Sequence, residues 1–365
     1  MDEFTHIGLD VHKETIAVAV LRPGASECEE RVIPNTPEAL RKLLTRFADR
    51  AALRTCYEAG PTGYDTQRLL SSLGIACEVI APSLIPRRSG MRVKTDRIDA
   101  RNLARLHRAG ELTAVRVPAP AEEALRDLVR AREDLKNDRR VARQRIRSFL
   151  LRYGQRYPAP GGRWSFRFEV WLRALHFAEP ASQAAFDHLV SAYSVRDAQL
   201  SAIDRQIEQA ALCGPLADDV ARLRAFRGID TLSAVTLLSE TCDFRRFATA
   251  GSFMAFTGLV PAEHSSGASR RQGSITEAGN AHLRRVLVEA AWAYRHRPAV
   301  RGAHAKRLEG QPPEVAAYSW KAQCRLSATY RKLAVKKGSN KAVVAVAREL
   351  SGFIWGAMTD RMDAC

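Results

Sequence analysis

Over the first 110 residues, short apolar runs alternate with amphipathic ones. Thr5–Asp10 (THIGLD) and Thr15–Leu21 (TIAVAVL) read as strands joined by a polar turn over Val11–Glu14, with Glu30–Pro34 as a third strand. Leu40, Leu43, Leu44 and Phe47 recur at helical spacing within 36–48, and Thr36-Pro37 is a helix start signal. Leu53–Tyr57 reads as a strand ending on Glu58 and broken by Ala59-Gly60-Pro61. Thr62–Leu73 then reads as a helix, Ala76–Ile80 as a strand and Pro82–Pro86 as a loop. An amphipathic helix carrying Leu103 and Leu106 follows. Strands paired first as hairpins and then alternating with helices predict a mixed α/β sheet flanked by helices.

Helical periodicity dominates the rest. Pro118-Ala119-Pro120 reads as a hinge. Ala121–Tyr153 carries a 3.5-residue seam through Leu128, Arg132, Leu135, Arg139, Ala142, Ile146, Phe149 and Tyr153, interrupted by its two arginines. After Pro158–Gly162 and an apolar stretch over Phe166–Phe177, a second long run, Ala181–Leu212, returns through Leu189, Tyr193, Leu200, Ile203 and Ile207. The two runs predict an antiparallel helical hairpin or an intermolecular coiled coil. Leu223–Glu240 reads helix, tight turn at Gly228, helix; such a corner either presents turn amides to a phosphate backbone or is plain packing. Ala248–Val260 and Pro261–Thr276 read as a polar loop rich in Gly and Ser, and Gly279-Asn280 opens a helix over Ala281–Tyr294. In the basic tail, Lys336–Lys341 separates two helices, the second apolar over Val343–Ile354. The division predicted is 1–110, 111–215 and 216–365.

Charge adds a partner to this outline. The chain of 365 residues carries a net +17. The excess is confined to two blocks: residues 87–173 carry +13 and 266–365 carry +11, against −3 over 1–86 and −4 over 174–265. Fields so segregated attract a polyanion, and nucleic acid is the partner they suit. Arg139 and Arg143, with Arg140, Arg145 and Arg147, lie on a helix face that could track phosphates, and Arg270, Arg271, Lys336 and Lys337 lie in polar turns. No apolar run is long enough to span a bilayer and no signal segment opens the chain, so a cytoplasmic protein is expected. Seven scattered cysteines without a C-x-x-C pair fit reduced thiols.

The chemistry rests on carboxylates. Asp96 and Asp99 stand three apart at the mouth of an amphipathic helix and share a face, although like charges repel. Three explanations are open: neighbouring Lys94, Arg97, Arg101 and Arg105 compensate them; a divalent cation does; or Asp96 caps the helix while Asp99 favours its dipole. Asp10 and Glu58 fall at strand ends, where α/β sheets place their sites. In a ribonuclease-H-like sheet the acidic helix could cross the same edge, gathering Asp10, Glu58, Asp96 and Asp99. Four hard oxygen donors suit Mg²⁺ or Mn²⁺, and such ions clamp the oxygens of a phosphoryl transfer.

Gly8-Leu9-Asp10-Val11-His12-Lys13, Tyr57-Glu58-Ala59-Gly60 and Lys94-Thr95-Asp96-x-x-Asp99-Ala100 resemble the DEDD transposases of bacterial insertion sequences, the group described as bridge-RNA-guided recombinases. Phe256-x-Gly258-Leu259-Val260-Pro261, Ser266-Gly267 and Gly273-x-Ile275-Thr276-x-x-Gly279-Asn280-x-x-Leu283-Arg284 resemble that family's C-terminal transposase domain. The resemblance implies a RuvC-like N-terminal domain whose acids Asp10, Glu58, Asp96 and Asp99 bind the metal. It further implies a coiled-coil insertion that assembles dimers and grips RNA, and a nucleophile at Ser266, with Ser265 beside it. The implied activity is RNA-guided DNA recombination through a 5′-phosphoserine, on donor and target duplexes, by a tetramer built of dimers and associated with the nucleoid. Two other readings of the residues stay open: a metal-dependent junction nuclease using water, and a non-catalytic nucleic-acid-binding protein.

Overall fold

The computed structural model describes residues 3–86, 95–158, 164–266 and 269–362, with backbone alone for 264–266, 269 and 270. The chain forms two compact units, Met1–Pro118 and Ala119–Cys365.

The first unit is built on a sheet of six strands: β1 (Thr5–Val11), β2 (Thr15–Leu21), β3 (Glu29–Pro34), β4 (Leu53–Glu58), β5 (Ala76–Ile80) and β6 (Ala114–Val115). Their order is β3-β2-β1-β4-β5-β6. The first three form an antiparallel meander, β1, β4 and β5 run parallel, and β6 closes the far edge antiparallel to β5. Strand alternation sends Ile7, Leu9, Ile16, Val18, Val20 and Tyr57 to one face. There they pack with α1 (Pro37–Leu44) and α2 (Asp65–Ser72) through Leu40, Leu43, Leu44 and Leu70. The opposite face presents Ala17, Ala19, Leu21 and Cys56 to α3 (Asp96–Arg108) through Ala100, Leu103 and Ala104. This is the mixed α/β arrangement expected, consistent with a RuvC-like domain. The unit ends at 118 rather than 110, because β6 and its connections to β5 come from 111–118: the Ala81 amide donates to the Thr113 carbonyl, and Arg68 to the Pro118 carbonyl.

Gly8 decides how closely α3 lies. A Cβ there would overlap the Ala100 carbonyl oxygen and come within 2.6 Å of the Ala104 amide nitrogen, so helix backbone rests directly on strand backbone. Arg101 and Arg105 pair with Glu30 and Glu27, and Arg108 donates to the Ala25 carbonyl, lashing the helix to β3 and the loop before it.

The second unit is mainly helical. α4 (Pro120–Arg152) and α6 (Pro180–Cys213) pack against each other, with the short α5 (Phe166–Arg173) between them in sequence. The arginines that interrupt the seam are neutralised from the facing helix: Arg132 bonds Asp204 at 2.5 Å and Arg139 bonds Asp197 at 2.8 Å. At the far end Phe149, Phe168, Leu172, Phe186 and Tyr193 make a core of their own. At the near end Val129, Leu200, Ile203 and Ile207 join the core of the remaining helices. Residues 111–215 therefore form no separate domain; Ala119–Cys213 and the C-terminal segment are one unit.

That segment contains α7 (Ala217–Arg224), α8 (Thr231–Thr241), α9 (Ala250–Phe256), β7 (Pro261–Ser266), β8 (Ser269–Ile275) and α10 (Ala281–Ala291). A 3₁₀ turn (Trp292–Arg295), α11 (Gly302–Leu308), α12 (Pro313–Lys337) and α13 (Ser339–Met358) follow. The stretch 261–276, expected as a loop, is an antiparallel hairpin with Pro261 opposite Ile275 and Ser266 opposite Ser269. Helix α13, buried on nearly all sides from Leu350 to Met358, is the centre of the core. Gly8→Ala should lower the unfolding free energy by roughly 2–4 kcal/mol, because the obstacle is backbone that cannot rotate away; denaturant unfolding measures it.

Candidate functional site

Asp10 lies near the C-terminal end of β1, two residues beyond Gly8 and on the same face. The close crossing at Gly8 carries the first turn of α3 to that strand end. Thr95 caps the helix, its hydroxyl accepting from the Ile98 amide at 3.4 Å. Asp96 is thus released from the capping role that one reading gave it. Arg101 and Arg105 are committed to Glu30 and Glu27, so two of the four bases expected to compensate the acidic pair serve other carboxylates. Lys94 lies outside the described residues.

The ligand atoms that converge are those of Asp10, Asp96 and His12, all within 4.8 Å of one another. His12 Nε2 is 3.2 Å from Asp10 Oδ2 and 3.5 Å from Asp96 Oδ1. The turn holding His12 is fixed by the His12 amide donating to the Thr15 carbonyl and by Asn35 Nδ2 donating to the His12 carbonyl. Burial pushes the Asp10 carboxyl up; the His12 ring opposes this, and Asp96 and Asp99 push it up further. Asp99 thus acts on the site electrostatically but lies outside the close trio. Glu58 also lies outside it, at the end of β4; the register pairing Leu9 with Tyr57 makes Glu58 the neighbour of Asp10 on the same face. The trio is open to solvent on the side of His12 and Asp96, 50% and 63% exposed, so a phosphate could reach it.

His12 joins the site although the sequence around it reads only as a turn. The available signal was the Asp10-x-His12 spacing at a strand end, which sends both side chains to one side. An oxygen-rich donor set with mutually repelling carboxylates fits a hard divalent ion.

In the second unit, Ser266 ends β7 beside residues 267 and 268, which lie outside the described ones. Arg271, on β8, is exposed. The motif glycines brace the base of this hairpin. Gly258 has φ +69°, and a Cβ on Gly279 would overlap the Phe256 carbonyl oxygen. Between them Glu277 takes the left-handed conformation, φ 54°, while its amide donates to the Gly258 carbonyl. Asn280 caps α10 through the Leu283 amide and donates Nδ2 to Glu240 Oε2 at 2.7 Å. Glu240, 1% exposed, also receives both arms of Arg130, at 2.8 and 3.0 Å. Burial pushes its carboxyl up, but the bonds from Arg130 and Asn280 outweigh burial and hold it below the usual range.

Among the expected nucleic-acid contacts, Lys336 and Lys337 are exposed at the end of α12. Arg139 is instead paired with Asp197. Arg143 donates to the Tyr193 hydroxyl at 3.3 Å and lies over the Trp164 ring at 4.9 Å, so both are engaged within the helix pair. Among the described residues, cysteines form no disulfide and no helix is long and apolar enough to cross a membrane.

A strand-end carboxylate met by the acidic first turn of a helix is a site that comparison with known proteins assigns to a class. A transposase model, that of the DEDD domain of IS110 elements, matches residues 7–155, and one for the "Transposase IS116/IS110/IS902 family" matches 220–305. A protein named "Putative transposase y4qE" from Sinorhizobium fredii is 42% identical over 359 residues, covering 96% of this chain and 87% of its own. The transposase for insertion sequence element IS1533 of Leptospira borgpetersenii is 33% identical over 341 residues, covering 92% and 99%. The chain belongs to the IS110 family of transposases.

Two outcomes follow from this geometry. A carboxyl raised in the folded state costs stability as pH climbs from its unfolded to its folded pKa, and the cost persists above. Asp10→Asn should therefore melt higher than wild type at pH 7 without metal, and added Mg²⁺ or Mn²⁺ should raise the Tm of wild type but not of the variant. Glu240→Ala should destabilise the protein by about 3–5 kcal/mol. Because the Glu240 carboxyl is lowered on folding, its contribution should fade in wild type as pH falls through the folded pKa; unfolding titrations measure both.

Proposed function

We propose that this chain is a DNA recombinase that cuts and rejoins strands through Ser266, with Asp10, Asp96, Asp99 and Glu58 holding a divalent cation, Mg²⁺ or Mn²⁺. The observation that carries the reading is the convergence of Asp10, Asp96 and His12 at the strand end that α3 crosses. A bound divalent ion would supply charge neutralisation and polarisation at the scissile phosphate. Asp10 and Asp96 bring carboxylate oxygens within 4.8 Å of each other, and the close crossing at Gly8 carries the first turn of α3 to the strand end. The Ser266 hydroxyl attacks phosphorus: its Oγ–P bond forms as the P–O3′ bond breaks, the serine proton is released, and the 3′-oxygen takes one up. The resulting 5′-phosphoserine conserves the phosphodiester energy, so a second 3′-hydroxyl can reverse the step without ATP.

The family resemblance supports the finer parts of the proposal. The acids of one subunit and the serine of another make a composite site in a tetramer built of dimers, and a structured non-coding RNA selects donor and target duplexes by base pairing. Exposed Lys336, Lys337 and Arg271, and Arg270 beside it in sequence, contact phosphates.

Protein, guide RNA, Mg²⁺ and labelled donor and target duplexes, denatured after reaction, should yield a protein–DNA adduct. It should vanish with Ser266→Ala and with Asp10→Asn, and persist with Ser265→Ala. Cleavage by wild type without an adduct would replace this reading with a nuclease that uses water.

A further inference from the structure

The corner between α7 and α8 holds a pair of arginines with no matching acid. Helix α7 ends at Arg224, and Ala225–Asp230 turn the chain into α8. Gly228 makes the turn at φ +89°, and a Cβ there would overlap the Ala290 carbonyl oxygen at the end of α10. The turn is braced from behind by carbonyl bonds: His304 Nε2 and the Ser319 hydroxyl both donate to the Ala225 carbonyl, at 2.8 and 2.6 Å. Arg307 Nη1 donates to the Ile229 carbonyl at 2.9 Å, and Arg227 Nη1 to the Arg297 carbonyl at 2.8 Å. The corner is rigid, and positively charged side chains crowd it.

Among the described residues no carboxylate forms an ion pair with Arg224 or Arg307. The Nε atoms of Arg224 and Arg307 are buried without a hydrogen-bond partner. Burial, and then the charge of Arg224, push Arg307 below its usual range, with Asp230 alone opposing. Asp230 spends its carboxylate capping α8, accepting from the Ser233 amide at 2.8 Å. The adjoining His304 is also held below its usual range, by burial first and then by Arg307 and Arg227, and serves as a brace through its bond to the Ala225 carbonyl. Elsewhere in this unit several half-buried arginines meet carboxylates, Arg130 with Glu240, Arg132 with Asp204, Arg139 with Asp197 and Arg285 with Glu133, while Arg143 and Arg284 bond the Tyr193 hydroxyl and the Thr257 carbonyl. Two like charges kept together at a braced turn cost stability unless an anion joins them.

We infer that the α7–α8 corner is a phosphate seat, in which Arg224, Arg307 and Arg227 clamp one backbone phosphate of duplex DNA without reading its sequence. Arginine forks suit phosphate oxygens, and contacts of this kind position a duplex rather than select it. The inference deepens the reading of the chain as a DNA-handling enzyme and rests on it only for the identity of the polyanion. It requires neither the metal nor the serine.

The test uses the full chain and Arg224→Gln, which removes a charge that bonds no protein group. Inorganic phosphate, compared with chloride at equal ionic strength, should raise the Tm of wild type more than that of Arg224→Gln. Without phosphate the variant should melt no lower than wild type, because repulsion is relieved. Binding to a duplex of unrelated sequence should weaken roughly three- to tenfold at low salt, with the slope of log K against log salt shallower by about one. Single-stranded RNA of equal length should lose less. A lower Tm for the variant would make Arg224 a structural residue and overturn the inference. So would unchanged duplex affinity and salt slope, an equal response of both proteins to phosphate, or a loss confined to RNA. Cleavage activity enters none of these readouts, so the seat and the serine chemistry stand or fall separately.

Discussion

The contact between the backbones of β1 and α3 is the constraint on which the first unit depends. Most helices lie on a sheet at a distance set by side chains. Here the absence of a Cβ at Gly8 lets the Ala100 carbonyl and Ala104 amide settle onto the strand. Small residues continue the contact: Ala17 and Ala19 on β2, and Ala100 and Ala104 on α3. The helix direction is then fixed by pairs on its outer side, Arg101 with Glu30 and Arg105 with Glu27. The N-terminal turn of the helix consequently falls beside the end of the strand. Two carboxylates 86 residues apart in sequence become neighbours through packing, not through attraction; their own charges oppose the arrangement.

The first unit was largely legible because its strands alternate cleanly and its helices keep apolar spacing. Thr5–Val11, Thr15–Leu21 and Ala76–Ile80 stand where the pattern put them. Its end was not legible, since β6 is only Ala114–Val115 and two residues carry no period. The hairpin of β7 and β8 looks like a loop in the sequence for a related reason. Its residues are mostly polar and pair with each other through backbone, so no hydrophobic alternation marks the strands in the sequence. The motif glycines and Asn280 were visible as a pattern, but their work at the hairpin base is a matter of backbone proximity that spacing does not reveal. His12 escaped because a histidine in a turn has no signature of its own.

Charge was legible in blocks and illegible by residue. Composition locates the basic excess in two segments, yet cannot tell a guanidinium facing water from one bound to a carboxylate. Arg139 and Arg143 look alike on a helical projection and are both taken up inside this unit, one by Asp197 of α6 and one by Tyr193 of α6 and by Trp164 just before α5. Arg224 and Arg307, undistinguished in sequence, keep buried Nε atoms without a hydrogen-bond partner at a braced turn. The difference lies entirely in what the partner element supplies.

The two arginine–aspartate bridges between α4 and α6 also bear on alignment. Arg132 and Arg139 are seven residues apart, as are Asp204 and Asp197 in the opposite direction. Sliding one helix past the other by two turns would retain a single bridge and strand the remaining arginine and aspartate against apolar side chains. A purely leucine-lined interface would tolerate that slip far better. The bridges therefore act as a ratchet tooth, holding the aromatic cluster around Phe149 and Phe186 at one set reach from the core around Ile203 and Ile207.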